Sequence, residues 1–84
     1  MIIQYTKAAQ KAINSMDSQT KQRIRIGIEG LTAKPPIGDI KRLKGNTGLH
    51  RLRVGDYRIL FFYPENDIIL IEKIAPRGNA YKGV

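Results

Sequence analysis

Apolar residues recur at helical spacing through the first half of the chain, after a short apolar segment at residues 2–5 that predicts a strand. Thr6 is a favoured N-cap for a helix that extends to about Met16, and Asp17 or Ser18 is favoured at the start of a second helix. The apolar stripes of the two helices comprise Ala8, Ala9, Ala12, Ile13 and Met16, and then Ile24, Ile28 and Leu31. The spacing therefore predicts a strand followed by two antiparallel helices joined by a tight turn.

The second helix is less regular towards its end. Gly27 and Gly30 each cost up to about 1 kcal/mol relative to alanine in a helix interior. The residue before a proline disfavours helical backbone, so the pair Pro35-Pro36 predicts that the helix has ended by Lys34.

The second half of the chain changes to the two-residue alternation of strands. Residues 49–54 and 57–63 predict two strands that flank Gly55-Asp56, a turn with glycine first as in a type II′ hairpin. A turn at 64–67 and a strand at 68–74 follow. The predicted order is β-α-α-β-β-β in a single domain over residues 1–84, an α+β fold whose antiparallel sheet carries the two N-terminal helices on one face. The other face of the sheet is then free to bind a ligand.

The composition narrows the kind of ligand. The 84 residues include 15 basic and 7 acidic side chains, a formal net charge of +8, with one histidine and no cysteine. The lack of cysteine excludes disulfides, a thiol nucleophile and thiolate zinc sites, and we expect neither a metal nor another cofactor. No segment has the length of a membrane span or the pattern of a signal peptide, so we expect a cytoplasmic protein with no membrane partner. The charge predicts a polyanionic partner, either nucleic acid or an acidic protein.

Cations are concentrated in residues 41–58, which hold six basic side chains and one acidic side chain. A turn at Gly55-Asp56 places Arg53 directly opposite Arg58, and Arg51 lies on the same face two residues along the strand. Like charges in directly opposed positions destabilise a sheet. Stability gives no reason to gather these arginines, whereas an anionic ligand does.

A four-residue loop at 64–67 adds further cations to this face. It sets Lys73 opposite Arg58, and Arg77 has the same parity just beyond the strand. The same register also puts Glu72 on the core side of the sheet. A bulge or an odd-length loop would correct this and would remove Lys73 from the group.

Three segments of the second half resemble the RelE branch of the RelE/ParE toxin superfamily. They are IKRLKG at residues 40–45, LHRLRVGDYRILF at 49–61 and IAPRGNAYK at 74–82. The resemblance covers essentially the whole chain, including the two leading helices, and its order and spacing are more specific than any one segment.

The resemblance implies an mRNA interferase, a toxin that enters the ribosomal A site and cleaves mRNA there without metal. In this reaction the ribose 2′-OH attacks the adjacent phosphodiester and leaves a 2′,3′-cyclic phosphate and a 5′-OH. The catalytic residues implied by the resemblance are Arg53, Arg58, Arg77 and Tyr81. Contacts to substrate phosphates are assigned to Arg51, Lys41, Arg42, Lys44 and Lys73.

The resemblance also implies the partners. They are the ribosome with its mRNA, and a cognate RelB-like antitoxin that is acidic and partly disordered when free. Two alternatives stay open. One is a ParE-like toxin that poisons DNA gyrase without nuclease chemistry, although such chains usually lack the basic and tyrosine set found here. The other is a non-catalytic basic protein that binds RNA or an antitoxin.

Overall fold

The structure is a computed structural model that describes residues 1–43, 45 and 48–76. Its elements are β1 (Ile2–Tyr5), α1 (Lys7–Asn14), α2 (Ser18–Glu29), a 3₁₀ turn (Gly30–Thr32), β2 (Asp39–Arg42), β3 (His50–Val54), β4 (Tyr57–Glu65) and β5 (Ile68–Pro76). Within the described ranges, neither helix is long and apolar enough to cross a membrane.

Both helices begin where their capping residues predict. The Thr6 hydroxyl accepts a hydrogen bond from the Ala9 N–H at 3.1 Å and donates one to the carbonyl of Glu72 at 2.8 Å. Asp17 caps α2 by accepting a hydrogen bond from the Thr20 N–H at 3.3 Å. Each cap satisfies a backbone donor that the first turn leaves unpaired. Thr6 also ties the start of α1 to β5, so this cap fixes the helix relative to the sheet.

The predicted α+β architecture is confirmed, with two differences in the sheet. Its five strands run in the order β1-β5-β4-β3-β2. β2 is an additional edge strand, antiparallel to β3. β1 forms the opposite edge and pairs in parallel with β5, so the sheet is mixed rather than wholly antiparallel. Antiparallel pairings join β2, β3, β4 and β5, so β5 runs opposite to β2. β1 is parallel to β5 because α1 and α2 carry the chain to the far edge of the sheet, where β2 runs opposite to β1.

The core lies between the helices and one face of the sheet. Its fully buried side chains include Ile13, Ile24, Ile28, Leu31, Leu52, Ile59, Phe61, Ile69 and Ile71. Gly27 has a packing role here, because a Cβ at that position would lie 2.6 Å from Cγ2 of Val54. The glycine that weakens α2 intrinsically is thus the residue that lets the helix approach β3 closely.

The first hairpin has the predicted register. Gly55 adopts a φ of +57°, in the left-handed region that favours glycine. The turn pairs Val54 with Tyr57 and Arg53 with Arg58. The two arginines are therefore directly opposed, as the alternation predicts.

The predicted register of the second hairpin is wrong. The loop is a two-residue turn at 66–67, so Glu65 pairs with Ile68. The register shifts between Glu65 and Phe62 and shifts back at a bulge between Phe61 and Leu60. Lys73 therefore lies opposite Leu60 rather than opposite Arg58, and it stays on the face that carries Arg58 despite the bulge. This bulge leaves Glu72 without a directly opposed partner and exposed to solvent. A regular strand would have turned that carboxylate towards the core, at a large desolvation cost.

Candidate nucleic-acid interface

The face of the sheet turned away from the helices carries a group of cations. Directly paired residues share a face, and alternation sets this face opposite to core residues such as Ile59. Its cations, which we call the arginine face, are Lys41, Arg51, Arg53, Arg58 and Lys73. They come from four neighbouring strands, so regular backbone hydrogen bonding fixes their positions.

Arg53 and Arg58 form the central pair of this face. Their strands, β3 and β4, are joined by the tight turn at Gly55, and the two residues are directly opposed. Arg53 is exposed and Arg58 is half-buried. In the described part of the chain, Arg58 forms no ion pair with Asp56 or Glu72. Two like charges held together on a rigid hairpin favour a bound anion, because guanidinium groups form charge-assisted hydrogen bonds with phosphate oxygens.

Arg51 has a different environment. One of its terminal nitrogens, Nη2, donates to Oδ1 of Asp39 at 3.0 Å across β2 and β3. The side chain of Arg51 is 13% exposed and that of Asp39 is 55% exposed. Asp39 is not among the site residues that the sequence predicts, because its position on this face depends on β2, a strand that the sequence pattern does not predict. The alternation of Asp39 and Lys41 along residues 39–42 is the only local signal that could have revealed it.

The remaining predicted site residues fall elsewhere. Arg42 pairs with His50, which places it on the helix side of the sheet, away from the arginine face. His50 itself stacks on Phe61, with ring centroids 5.3 Å apart, and meets Tyr63 edge-on at 5.6 Å. The other three predicted residues lie outside the described part of the chain; they are Lys44, Arg77 and Tyr81. No three His, Asp or Glu side chains among the described residues are grouped so as to hold a metal ion.

The family of the chain follows from a direct match. The sequence model of a protein family, described as the ParE toxin of the type II toxin–antitoxin system parDE, matches residues 3–81. The chain belongs to this toxin family. The RelE/ParE resemblance of the sequence is thereby confirmed, and the hairpin that carries Arg53 and Arg58 lies wholly inside the matched segment.

Several proteins that are similar to this chain are named RelE. A Methanocaldococcus jannaschii protein with the provisional name toxin RelE1 is 47% identical over 45 residues, which are 52% of this chain and 50% of that protein. The match thus spans half the length of that curated relative. The RelE–RelB complex of Pyrococcus horikoshii contains a similar fold, with 28% identity, a TM-score of 0.74 and coverage of 94% of this chain and 97% of that chain. For the RelB–RelE antitoxin–toxin complex of Methanococcus jannaschii the identity is 26% and the TM-score 0.71, with 88% and 89% covered.

Proposed function

We propose that this chain is the toxin of a RelBE-type module and acts as a ribosome-dependent endoribonuclease on mRNA in the A site. The observation that carries the proposal is the opposed pair Arg53 and Arg58 on a sheet face without helix cover. The names of the relatives support the RelE assignment.

The proposed chemistry is intramolecular. The ribose 2′-OH loses its proton and attacks the adjacent phosphorus, and the bond from phosphorus to the 5′ oxygen of the next nucleotide breaks. The leaving oxygen takes up a proton, so the products are a 2′,3′-cyclic phosphate and a 5′-OH. The pentacoordinate intermediate carries more negative charge than the substrate, and preorganised cationic donors stabilise it.

The residue roles follow from position. Arg58 is on β4, the middle strand of the sheet, and its assigned role is to stabilise the negative charge of the pentacoordinate intermediate. Arg53 and Lys41 are exposed and are assigned to neighbouring phosphates. From the resemblance we assign Tyr81 as the base that removes the 2′-OH proton, which requires nearby cations because a phenol has a pKa of about 10. Arg77 is assigned to charge stabilisation, since guanidinium does not give up a proton near neutral pH.

The proposed partners are the cytoplasmic ribosome and an antitoxin. The solved neighbours are complexes of RelE with RelB. A formal net charge of +8 favours an acidic antitoxin segment that covers the arginine face and excludes RNA from it.

The test is inducible expression in bacteria, with mapping of mRNA 5′ ends. We compare the wild type with Arg58→Gln and Arg53→Gln, and with Lys34→Gln as a control that removes the same charge from an exposed loop. The proposal expects new 5′ ends within translated codons for the wild type and Lys34→Gln, and few or none for the two arginine variants. Intact mRNA in cells that stop growing would contradict it.

A second candidate has one observation in its favour, the ParE name of the matching family model. A ParE-like chain would poison DNA gyrase and leave mRNA intact. The same expression experiment separates the two, because DNA damage without new mRNA ends supports the gyrase function. Normal growth with expressed, folded protein supports a non-catalytic binding protein.

A further inference from the structure

Asp39 brings a carboxylate into the arginine face. It lies on the edge strand β2, directly opposite Arg53, yet its Oδ1 accepts a hydrogen bond from Nη2 of Arg51. The 3.0 Å separation of these atoms makes this a charge-assisted hydrogen bond. A face that collects cations for phosphate thus contains an anion of its own.

The pair is asymmetric in its exposure. Arg51 is 13% exposed and has a buried Nε without a hydrogen-bond partner, whereas Asp39 is 55% exposed. A largely buried guanidinium is costly when it is unpaired. In the free protein, Asp39 therefore supplies the negative charge that Arg51 requires. Nothing equivalent holds Arg58 through Asp56 or Glu72 within the described residues.

We propose that Asp39 is an internal counterion that competes with RNA phosphate for Arg51 and keeps Arg51 out of the phosphate-binding set. Carboxylate and phosphate are alternative acceptors for one guanidinium. A phosphate that bound Arg51 would lie beside the Asp39 carboxylate, and the repulsion between these two anions opposes the exchange. The inference rests on the proposed function, since it requires that the arginine face binds phosphates through Arg53 and Arg58.

The test measures phosphate contacts by their salt dependence. The probe is a fluorescent single-stranded oligothymidylate of about eight nucleotides, within the range that small domains bind; it has no 2′-OH and is not cleaved by the proposed reaction. The variant is Asp39→Asn, and Asp56→Asn is the matched control that removes the same charge from the adjacent hairpin turn. Each contact to a single strand contributes about 0.7 to the slope of log affinity against log salt.

The proposal expects Asp39→Asn to bind more tightly than Asp56→Asn and to have a slope steeper by about 0.7, one extra phosphate contact. Asp56→Asn is expected to tighten binding at most about twofold through space, with an unchanged slope. The gain of Asp39→Asn is expected to disappear in an Arg51→Gln background. Equal binding by the two aspartate variants would overturn the proposal. Weaker binding by Asp39→Asn would also overturn it, because Asp39 would then position Arg51 for phosphate.

A second measurement uses the wild type and does not depend on the stability of a variant. The Nε–H signals of the arginines are followed by NMR while oligothymidylate is added, with Arg51 assigned through Arg51→Gln. Shifts of Arg53 and Arg58 with an unmoved Arg51 support the proposal, and a parallel shift of all three overturns it. If Arg53→Gln and Arg58→Gln leave oligothymidylate binding unchanged, the phosphate-binding face itself fails, which is a failure of the proposed function.

Discussion

Because Arg53 and Arg58 are directly opposed, we expect the repulsion between their charges to destabilise the free protein. Arg58 lies directly across from Arg53, and its partner on the other side is the uncharged Ala75. Two unit charges about 6 Å apart in a water-like dielectric repel by roughly 0.7 kcal/mol, within the range of about 0.2–1 kcal/mol for cross-strand pairs. Arg58→Gln removes this repulsion while keeping a polar side chain. We expect it to raise the free energy of unfolding by a few tenths to about 1 kcal/mol at low salt.

The assay is denaturant and thermal unfolding at low and at high salt. For a domain of this size, 1 kcal/mol corresponds to about 4–8 °C in Tm. The gain is expected to shrink as salt rises, because the screening length falls from about 10 Å at 0.1 M to about 3 Å at 1 M. A double-mutant cycle with Arg53→Gln isolates the pair, and the removal of either arginine is expected to stabilise less once the other is gone.

Two controls separate this pair from general effects. Arg58→Lys keeps the charge and is expected to give no gain, and Lys34→Gln lowers the net charge at an exposed loop and is expected to change stability little. A destabilised Arg58→Gln at low salt, or a gain that is independent of salt, would refute the repulsion argument. If the repulsion is confirmed, Arg58→Gln is expected to be more stable than the wild type and to lose the proposed mRNA cleavage.

Three further predictions concern the scaffold. Gly27→Ala is expected to lower the free energy of unfolding by about 1 kcal/mol, although alanine has the better helix propensity, because the new Cβ would overlap Val54 Cγ2. In a Val54→Ala background the same change is expected to stabilise the protein. Denaturant unfolding of both variants checks this. Burial raises the pKa of Tyr5, so the stability due to its neutral phenol is present below pH 10 and is lost as the pH rises through the raised pKa; Tyr5→Phe is expected to flatten this alkaline limb of thermal stability. Hydrogen bonds from Thr20 lower the pKa of Asp17. The stability due to this carboxylate is therefore present above pH 3.8 and is lost as the pH falls through the lowered pKa. Asp17→Asn is expected to remove this dependence, which acid titrations of unfolding measure.

The features that could be predicted from sequence depend on neighbouring residues. Thr6 and Asp17 start helices because their side chains bond to backbone groups three residues away. Gly55 is a residue type that readily adopts the positive φ of a tight hairpin turn. The register of that hairpin then places Arg53 opposite Arg58. The central pair of the proposed site was accessible from sequence because both of its residues adjoin one tight turn.

The features that could not be predicted depend on contacts distant in sequence. The parallel pairing of β1 with β5 depends on which edge of the sheet the chain reaches after α2, and the local pattern does not specify that edge. The bulge at Glu72 keeps this carboxylate out of the core, towards which a regular strand would turn it. A bulge or a loop of different length could each achieve this, and the sequence alone does not decide between them. Asp39 meets Arg51 only because β2 pairs with β3 across a connection of several residues.

The proposed cleavage of ribosome-bound mRNA at the arginine face depends on the ribose 2′-OH. It is tested most directly with purified toxin and ribosomes stalled on a defined mRNA, using a matched mRNA with a single 2′-deoxy nucleotide at the scissile position. We predict cleavage in the A-site codon with a 2′,3′-cyclic phosphate end for the wild type and for Lys34→Gln. The deoxy mRNA and Arg58→Gln are each expected to abolish it. An intact mRNA with the wild type, or cleavage that persists without the 2′-OH, would contradict the claim.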